Sequence, residues 1–78
     1  MTARDEILAT ARALAPETPD GSFSVEDVIK ELRRRGSRYA ESTIRTHVTS
    51  RMCANAPDHH AVTYADLLRT AAGRYRLS

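Results

Sequence analysis

The chain has very little of several features that would point to a secreted, membrane-bound or disulfide-stabilised protein. Cys53 is its single cysteine, which excludes an internal disulfide and fits a reducing cytoplasm. No apolar run approaches the roughly 20 residues that a membrane-spanning helix needs. The N-terminal segment carries Asp5 and Glu6 within an amphipathic pattern, unlike a signal peptide. These features predict a cytoplasmic protein without membrane association.

Features of an enzyme are also scarce. With 78 residues, the chain predicts one small domain over 1–78, which is too short to enclose a large substrate pocket. Ser, His and Asp all occur, but no nucleophile turn or phosphate-binding loop accompanies them. The hydrophobic content of 41% and the charged content of 28% are those of a globular domain. We therefore expect no catalytic residues, no cofactor and no small-molecule substrate.

Lysine is absent from the second half of the chain, although that half is strongly basic. Residues 1–32 contain three basic and seven acidic side chains, whereas residues 33–78 contain nine arginines and three acidic side chains. The net charge of +2 therefore conceals an acidic first half and a basic second half. Arginine favours a partner whose oxygens accept two parallel hydrogen bonds, such as phosphate. The alternative is a solvated basic surface without a polyanionic partner.

The first predicted helix covers about 3–15. Thr2 and Asp5 have the spacing of a capping box, and Pro16 marks the end of the helix. Its apolar face contains Ile7, Leu8, Ala11 and Leu14. The segment 16–21 that follows is rich in proline, acidic residues and glycine, so it is predicted to be a loop.

The second predicted helix covers about 25–35. Ser24 and Asp27 have the spacing of an N-cap and its partner, and Phe23 and Val28 occupy the positions of a hydrophobic staple. Gly36 supplies a left-handed stop. The three arginines at 33–35 lie in the last turn, where the helix dipole favours cations by a few tenths to about 1 kcal/mol. They are therefore first of all helix stabilisers.

The third predicted helix covers about 41–54 and ends where Asn55 tolerates the left-handed conformation and Pro57 prevents continuation. Ile44, Val48 and Met52 recur every four residues and form one buried stripe. The other face carries Thr43, Arg45, Thr46 and Thr49. Hydroxyl and guanidinium groups of this kind suit phosphate oxygens and base edges, and the short connection to the second helix predicts a helix-turn-helix.

The C-terminal segment of about 66–78 alternates like a β-hairpin closed around Ala72-Gly73. Symmetric pairing about that dipeptide predicts Leu68 opposite Leu77 and Thr70 opposite Tyr75 on the inner face, with Arg69 opposite Arg76 on the outer face and Arg74 near the tip. Like charges that face each other destabilise a sheet by some tenths of a kcal/mol. An anionic partner, such as a phosphate backbone, would relieve that repulsion.

Three helices followed by a basic hairpin give a mainly α fold with a small β-hairpin, in the order of a winged helix-turn-helix. The stretch 42–48 resembles the start of a winged-helix recognition helix, and 73–77 resembles a returning wing strand. Together with 52–57, the chain is similar to small bacterial winged-helix modules that occur alone or beside restriction and DNA-modification domains. The resemblance covers nearly the whole chain from Asp5 onward. It implies double-stranded DNA binding by a transcriptional regulator or DNA-targeting module.

In that arrangement the third helix enters the major groove and the wing contacts the adjacent backbone or minor groove. We expect Arg45, Thr46 and Thr49 to read bases, and Ser42 and Thr43 to bind phosphate near the helix N-terminus. Arg38, Arg74 and Arg76 would hold the backbone, and Arg69 belongs to the same basic wing. A lone domain would bind DNA in the micromolar range or more weakly, unless it forms a homodimer or is recruited by a protein partner.

Two other functions are alternatives to DNA binding. The first is a winged-helix module for protein–protein interaction within a larger DNA-processing complex, with the acidic first half as its docking face. The second is a metal site formed by His47, Cys53, His59 and His60. Its spacing is poor, because His47 and Cys53 point about 120 degrees apart on a helix and no paired-cysteine motif occurs. We therefore predict no metal ligands.

Overall fold

A computed structural model of the protein describes residues 2–55 and 64–78. Three helical regions are combined with a small three-stranded antiparallel sheet, so the predicted α+β class is confirmed and the arrangement is compatible with a winged-helix-like fold. The helices are α1 (Ala3–Leu14), which continues as a 3-10 turn (Ala15–Glu17), α2 (Val25–Arg34) and α3 (Glu41–Thr46), which continues as a π-helical segment (His47–Arg51). The strands are β1 (Phe23–Ser24), β2 (Leu67–Ala71) and β3 (Arg74–Leu77).

Local side-chain hydrogen bonds begin the first two helices as predicted. The Asp5 amide donates to the Thr2 hydroxyl at 3.2 Å, and the Thr2 amide donates back to the Asp5 carboxylate at 3.1 Å. Ser24 and Asp27 form the same reciprocal pair at the start of α2, with distances of 3.0 and 3.1 Å. Both capping boxes therefore satisfy amide groups that a helix N-terminus would otherwise leave unbonded.

Gly36 ends α2 in the left-handed conformation predicted for it, with φ of +85°. The Gly36 amide donates to the carbonyl of Arg33 at 3.0 Å, and the Ser37 amide donates to the carbonyl of Leu32 at 2.9 Å. This pair of bonds is the Schellman motif. It reverses the chain after α2 and so sets the direction in which the chain enters α3.

Gly36→Ala should lower the free energy of unfolding by about 1 kcal/mol. A Cβ at this position would meet no atom within 4 Å, so the loss comes from the backbone conformation and not from a collision. Urea denaturation of the two proteins measures the difference. Gly36→Asn should lose less, because asparagine adopts this conformation more readily. An unchanged midpoint for the alanine variant would contradict the expectation.

The core lies between the helices and the inner face of the sheet. The stripe predicted for the third helix is fully buried, since Ile44, Val48 and Met52 each have 0% exposure. Phe23 and Leu67 bring the sheet into the same cluster. The remaining members of this cluster are Ile7, Ala11, Val25, Val28, Leu32, Cys53 and Tyr75. Burial of the stripe leaves the opposite face of the third helical region directed away from the core.

The third helical region ends earlier than predicted, at Arg51 and not at 54. The Leu67 amide donates to the carbonyl of Met52, and the Ala54 amide donates to the carbonyl of Leu67, both at 2.8 Å. These bonds cover the free edge of β2, which is why the chain leaves the helix there. Asn55 is not a left-handed stop, because no non-glycine residue of the described segments has a positive φ.

The predicted hairpin register is wrong by one residue. The observed pairs are Leu67↔Leu77, Leu68↔Arg76, Arg69↔Tyr75 and Ala71↔Arg74, with a bulge between Arg69 and Ala71. The symmetric prediction assumed an unbroken ladder, and the bulge inserts one extra residue, Thr70. Arg69 therefore does not oppose Arg76, and the like-charge repulsion predicted between them is absent from the pairing. The observed register instead places the buried Leu67 opposite Leu77.

A third strand was missed in the sequence. Phe23 pairs with Tyr75 and Ser24 pairs with Arg74, so β3 is the central strand of the order β1-β3-β2. Two residues give no recognisable alternation, so only the tertiary contact reveals this strand.

Within the described segments, no helix is both long enough and apolar enough to cross a membrane.

A tertiary ion pair fixes α1 to the start of the hairpin. Arg4 donates from Nε and Nη2 to the two Asp66 carboxylate oxygens at 2.8 and 2.9 Å, and its guanidinium lies 4.0 Å from the centre of the Tyr64 ring. The bond to Asp66 raises the pKa of Arg4. A forked arginine–carboxylate pair has defined geometry, so it positions β2 against α1.

Candidate nucleic-acid interface

The residues predicted to contact DNA lie on the α2–α3 turn, on the outer face of the third helical region and on the hairpin. Each is at least partly accessible, as is expected for an interface but also for any surface group. The exposed members are Arg38, Ser42, Thr46, Arg69 and Arg76, and the half-buried members are Thr43, Arg45, Thr49 and Arg74.

Arg45 and Arg74 reach consecutive residues at the start of α2. Arg45 pairs with Glu26 at 3.2 Å, and Arg74 lies 3.8 Å from the Asp27 carboxylate. Because Glu26 and Asp27 are neighbours in the first turn of one helix, the outer face of α3 and the tip of the hairpin are brought to the same end of α2. The structure thus places one predicted base-reading residue, Arg45, and one predicted backbone-holding residue, Arg74, at the same end of α2.

Arg45 is held by two carboxylates. Its Nη1 donates to Glu26 and its Nη2 donates to Glu41, each at 3.2 Å. These two bonds raise the pKa of Arg45. Backbone hydrogen bonding at the helix start, followed by the bond from Arg45, lowers the pKa of Glu26. Sequence analysis missed Glu26, because it lies 19 residues from Arg45 and no local pattern joins them.

Arg74 also has partners within the protein. Its Nη2 donates to the Ser22 hydroxyl at 2.8 Å, and that buried hydroxyl donates to the Asp20 carboxylate at 2.8 Å. The bonds from Ser22 lower the pKa of Asp20. Arg74 therefore links the hairpin tip to the loop before β1, and a role in holding DNA would have to compete with these bonds.

The hydroxyl groups of the helix face differ in whether they form hydrogen bonds within the protein. The Thr49 hydroxyl donates to the carbonyl of Arg45 at 2.7 Å, which leaves its oxygen able to accept a further bond. The His47 Nδ1 lies 2.8 Å from the carbonyl of Thr43. Ser42 and Thr46 form no side-chain hydrogen bond with the described residues. The hydroxyls of Ser42 and Thr46 are therefore available to an external partner.

The π-helical segment is a second feature that sequence analysis missed. The Met52 amide donates to the carbonyl of His47 at 2.8 Å, which is the spacing of a π-helix. Short π-helical turns within helices often occur at functional sites. Here the wide turn contains Thr49 and ends at the exposed Arg51, which the sequence-based site had omitted although it belongs to the same arginine-bearing stretch.

Besides Arg33, which donates to backbone carbonyls, four exposed arginines of the basic half form no ion pair with any described residue. They are Arg38, Arg51, Arg69 and Arg76, of which three were predicted to contact DNA. Arg69 and Arg76 line an open groove of about 360 Å³, whose other lining residues are Asp20, Asn55, Leu68 and Thr70. Arg38 instead lines a groove of about 650 Å³ beside α1. The contacts that bring Arg45 and Arg74 together therefore do not include Arg38.

Asn55 fixes the base of the hairpin. Its Oδ1 accepts from the Arg69 amide at 2.9 Å and from the Cys53 thiol at 3.2 Å, and its Nδ2 donates to the Arg69 carbonyl at 3.1 Å. The amide side chain thus pairs with the backbone as a neighbouring strand would. Its position beside the groove holds Arg69 at a defined place on β2.

The alternative metal site has no support in the described residues, which contain no group of three or more His, Cys, Asp or Glu side chains able to hold a metal ion. Cys53 is buried, and its thiol donates to Asn55. His59 and His60 lie outside the described residues.

The three consecutive arginines at 33–35 all bond groups of the protein near the end of α2, and their predicted stabilisation through the helix dipole stays a prediction. Arg34 and Arg35 donate from Nε to the Glu31 carboxylate, each at 2.9 Å. Arg33 donates to the carbonyls of Ser37 and Tyr39 at 3.2 and 2.8 Å and so holds the turn before α3. These arginines act within the protein and leave the outer face of α3 to other residues.

Bonds from Arg34 and Arg35 lower the pKa of Glu31 from 4.5 to about 2. A carboxylate whose pKa is lower in the folded state stabilises that state above the unfolded pKa. The contribution should therefore be complete above about pH 4.5 and be lost as the pH falls toward 2. An NMR titration of the Glu31 carboxyl carbon measures this pKa, and Glu31→Gln should remove part of the acid sensitivity of unfolding. A midpoint near 4.5 would contradict the prediction.

Comparison with curated proteins and with solved structures gave no significant match. One family model matches residues 4–77 and is described as a domain of unknown function, DUF7669. Because this match spans nearly the whole chain, the protein belongs to the DUF7669 family.

Proposed function

We propose that this protein binds double-stranded DNA, as a bacterial cytoplasmic transcriptional regulator or DNA-targeting module. The observation that carries the proposal is the meeting of Arg45 and Arg74 at Glu26 and Asp27, which brings the polar face of α3 and the hairpin tip to one region. In this proposal the third helical region lies in the major groove and the hairpin lies on the adjacent backbone or minor groove.

Unpaired positive charge supports a polyanionic partner. Arg51, Arg69 and Arg76 are exposed, and none forms an ion pair with a described residue. Such guanidinium groups can fork onto phosphate oxygens, and release of counterions from the DNA would favour the complex at low salt. Arg45, Thr46 and Thr49 would read bases, while Ser42 and Thr43 would contact phosphate at the start of α3.

Interaction with another protein is the second candidate. The ion pairs of Arg45 with Glu26 and of Arg74 with Asp27 favour it, because they reduce the positive charge that the helix face and the hairpin tip present. The composition of the surface opposes it. Tyr64 is the single exposed large hydrophobic side chain among the described residues, and the guanidinium of Arg4 covers its ring. The cores of protein interfaces are usually richer in apolar and aromatic side chains.

A residue-resolved NMR titration with a short mixed-sequence duplex tests the proposal. We expect shifts concentrated in residues 42–51 and 69–76, with micromolar or weaker affinity that falls steeply between about 50 and 200 mM salt. Shifts spread evenly over the surface would indicate non-specific contact. An unchanged spectrum at low salt would contradict DNA binding and would favour the protein-interaction candidate or self-association as a homodimer.

A further inference from the structure

Arg45, the arginine proposed to read bases, forms ion pairs with two carboxylates. Glu26 and Glu41 each bind one terminal nitrogen of Arg45 at 3.2 Å, so two carboxylates surround one guanidinium. Both carboxylates are exposed, with side-chain exposures of 68% and 58%, and Arg45 itself is 44% exposed. A partner that approaches Arg45 therefore also meets the two carboxylates.

The two bonds come from different elements. Glu41 lies in the first turn of α3, one helical turn before Arg45, so this contact is a common pair within a helix. Glu26 lies at the start of α2 and reaches across to α3. Arg45 is therefore held from two directions, and neither bond uses all the hydrogens of the terminal nitrogen that donates it.

We propose that Glu26 and Glu41 act as a carboxylate clamp on Arg45 that suppresses binding to DNA phosphates and so raises selectivity for base edges. The inference rests on the proposed DNA-binding function. A phosphate at Arg45 would lie near two carboxylates and be repelled, whereas the N7 and O6 acceptors of guanine carry no net charge. The N–H groups of Arg45 that the clamp leaves unused remain available to such acceptors.

The clamp is an example of specificity obtained by a repulsive element. Without it, Arg45 would be one more flexible cation able to hold any phosphate. When the clamp is present, non-cognate DNA is repelled by Glu26 and Glu41 and gains no favourable base contact to offset that repulsion. The clamp should therefore weaken binding to mixed-sequence DNA more than binding to a selected site.

Glutamine substitutions test the clamp, because they remove charge and keep the shape of the side chain. Glu26→Gln and Glu41→Gln, singly and together, are compared with wild type for binding to a mixed-sequence duplex and to a duplex selected for tight binding. Each single variant should bind the mixed duplex about two- to fivefold more tightly. The double variant should show a salt slope steeper by about one phosphate contact and a smaller difference between the two duplexes.

Glu17→Gln is the matched control. It changes the net charge as much as each single variant does, but Glu17 is exposed and forms no ion pair with a described residue. If wild type binds DNA and neither single variant binds more tightly than Glu17→Gln, the clamp is refuted while the DNA-binding function stands. If neither wild type nor the double variant binds any duplex, both proposals are refuted. The NMR signal of the Arg45 Nε–H group should shift in Glu26→Gln without DNA, which verifies the contact independently.

Discussion

Replacement of Phe23 by alanine is expected to lower the free energy of unfolding by about 3 to 5 kcal/mol. Phe23 is 1% exposed and is the largest of the fully buried side chains. It lies on β1 opposite Tyr75, directly before the residue that caps α2. The truncation would therefore leave a cavity where the sheet meets the helices. A domain of this length is expected to have a total stability of only about 4 to 12 kcal/mol.

Urea denaturation followed by circular dichroism measures this loss. Phe23→Leu should lose less than about 1.5 kcal/mol, because it keeps most of the buried volume. Thr46→Ala, on the exposed face of α3, should stay within about 0.5 kcal/mol of wild type. A loss below about 1 kcal/mol in Phe23→Ala would show that the sheet is not joined to the helices through this side chain.

The second large effect is expected in DNA binding. Arg45→Ala should reduce discrimination between a selected site and a mismatched site by about 1 to 3 kcal/mol, because a base contact is lost. Arg74→Ala should weaken binding to all sequences and flatten the salt dependence, because a backbone contact is lost. Fluorescence anisotropy with both duplexes over a range of salt concentrations separates the two effects. Equal changes in both variants would contradict the assigned roles.

The structure supplies a cleaner control for the backbone role than Arg74. Since Arg74 donates to Ser22 and lies near Asp27, its removal also disturbs the loop before β1. Arg76 is exposed and has no ion pair with a described residue, so Arg76→Ala should leave stability nearly unchanged and reduce the salt slope by about one contact. A loss of stability in Arg74→Ala alone would then identify the structural part of its effect.

Part of the candidate interface could be predicted from the sequence because it depends on helical periodicity. The buried stripe of Ile44, Val48 and Met52 determines which side of the helix faces outward, and this follows from spacing alone. The hydrogen-bond and ion-pair partners of the outward side chains could not be predicted. Arg45 is held by Glu26, which belongs to another helix, and such a pair depends on how two helices pack.

The hairpin likewise has some features that could be predicted from the sequence and others that could not. Its existence and its turn at Ala72-Gly73 follow from local residue types, and Gly73 has the positive φ that such a turn requires. The register does not follow from local residue types, because an extra residue in one strand changes every pair beyond it. Because of the bulge at Thr70, Arg69 does not face Arg76. The repulsion that had suggested an anionic partner at that pair is therefore absent.

The sequence by itself determined the capping boxes, the left-handed stop at Gly36, the buried stripe and the α+β class, because each depends on residues within about four positions of one another. Tertiary structure alone decided the third strand, the bonds that cover the edge of β2 and the partners of Arg45 and Arg74. These features join residues distant in the chain. Their free energy arises only once the core has brought the helices and the sheet together.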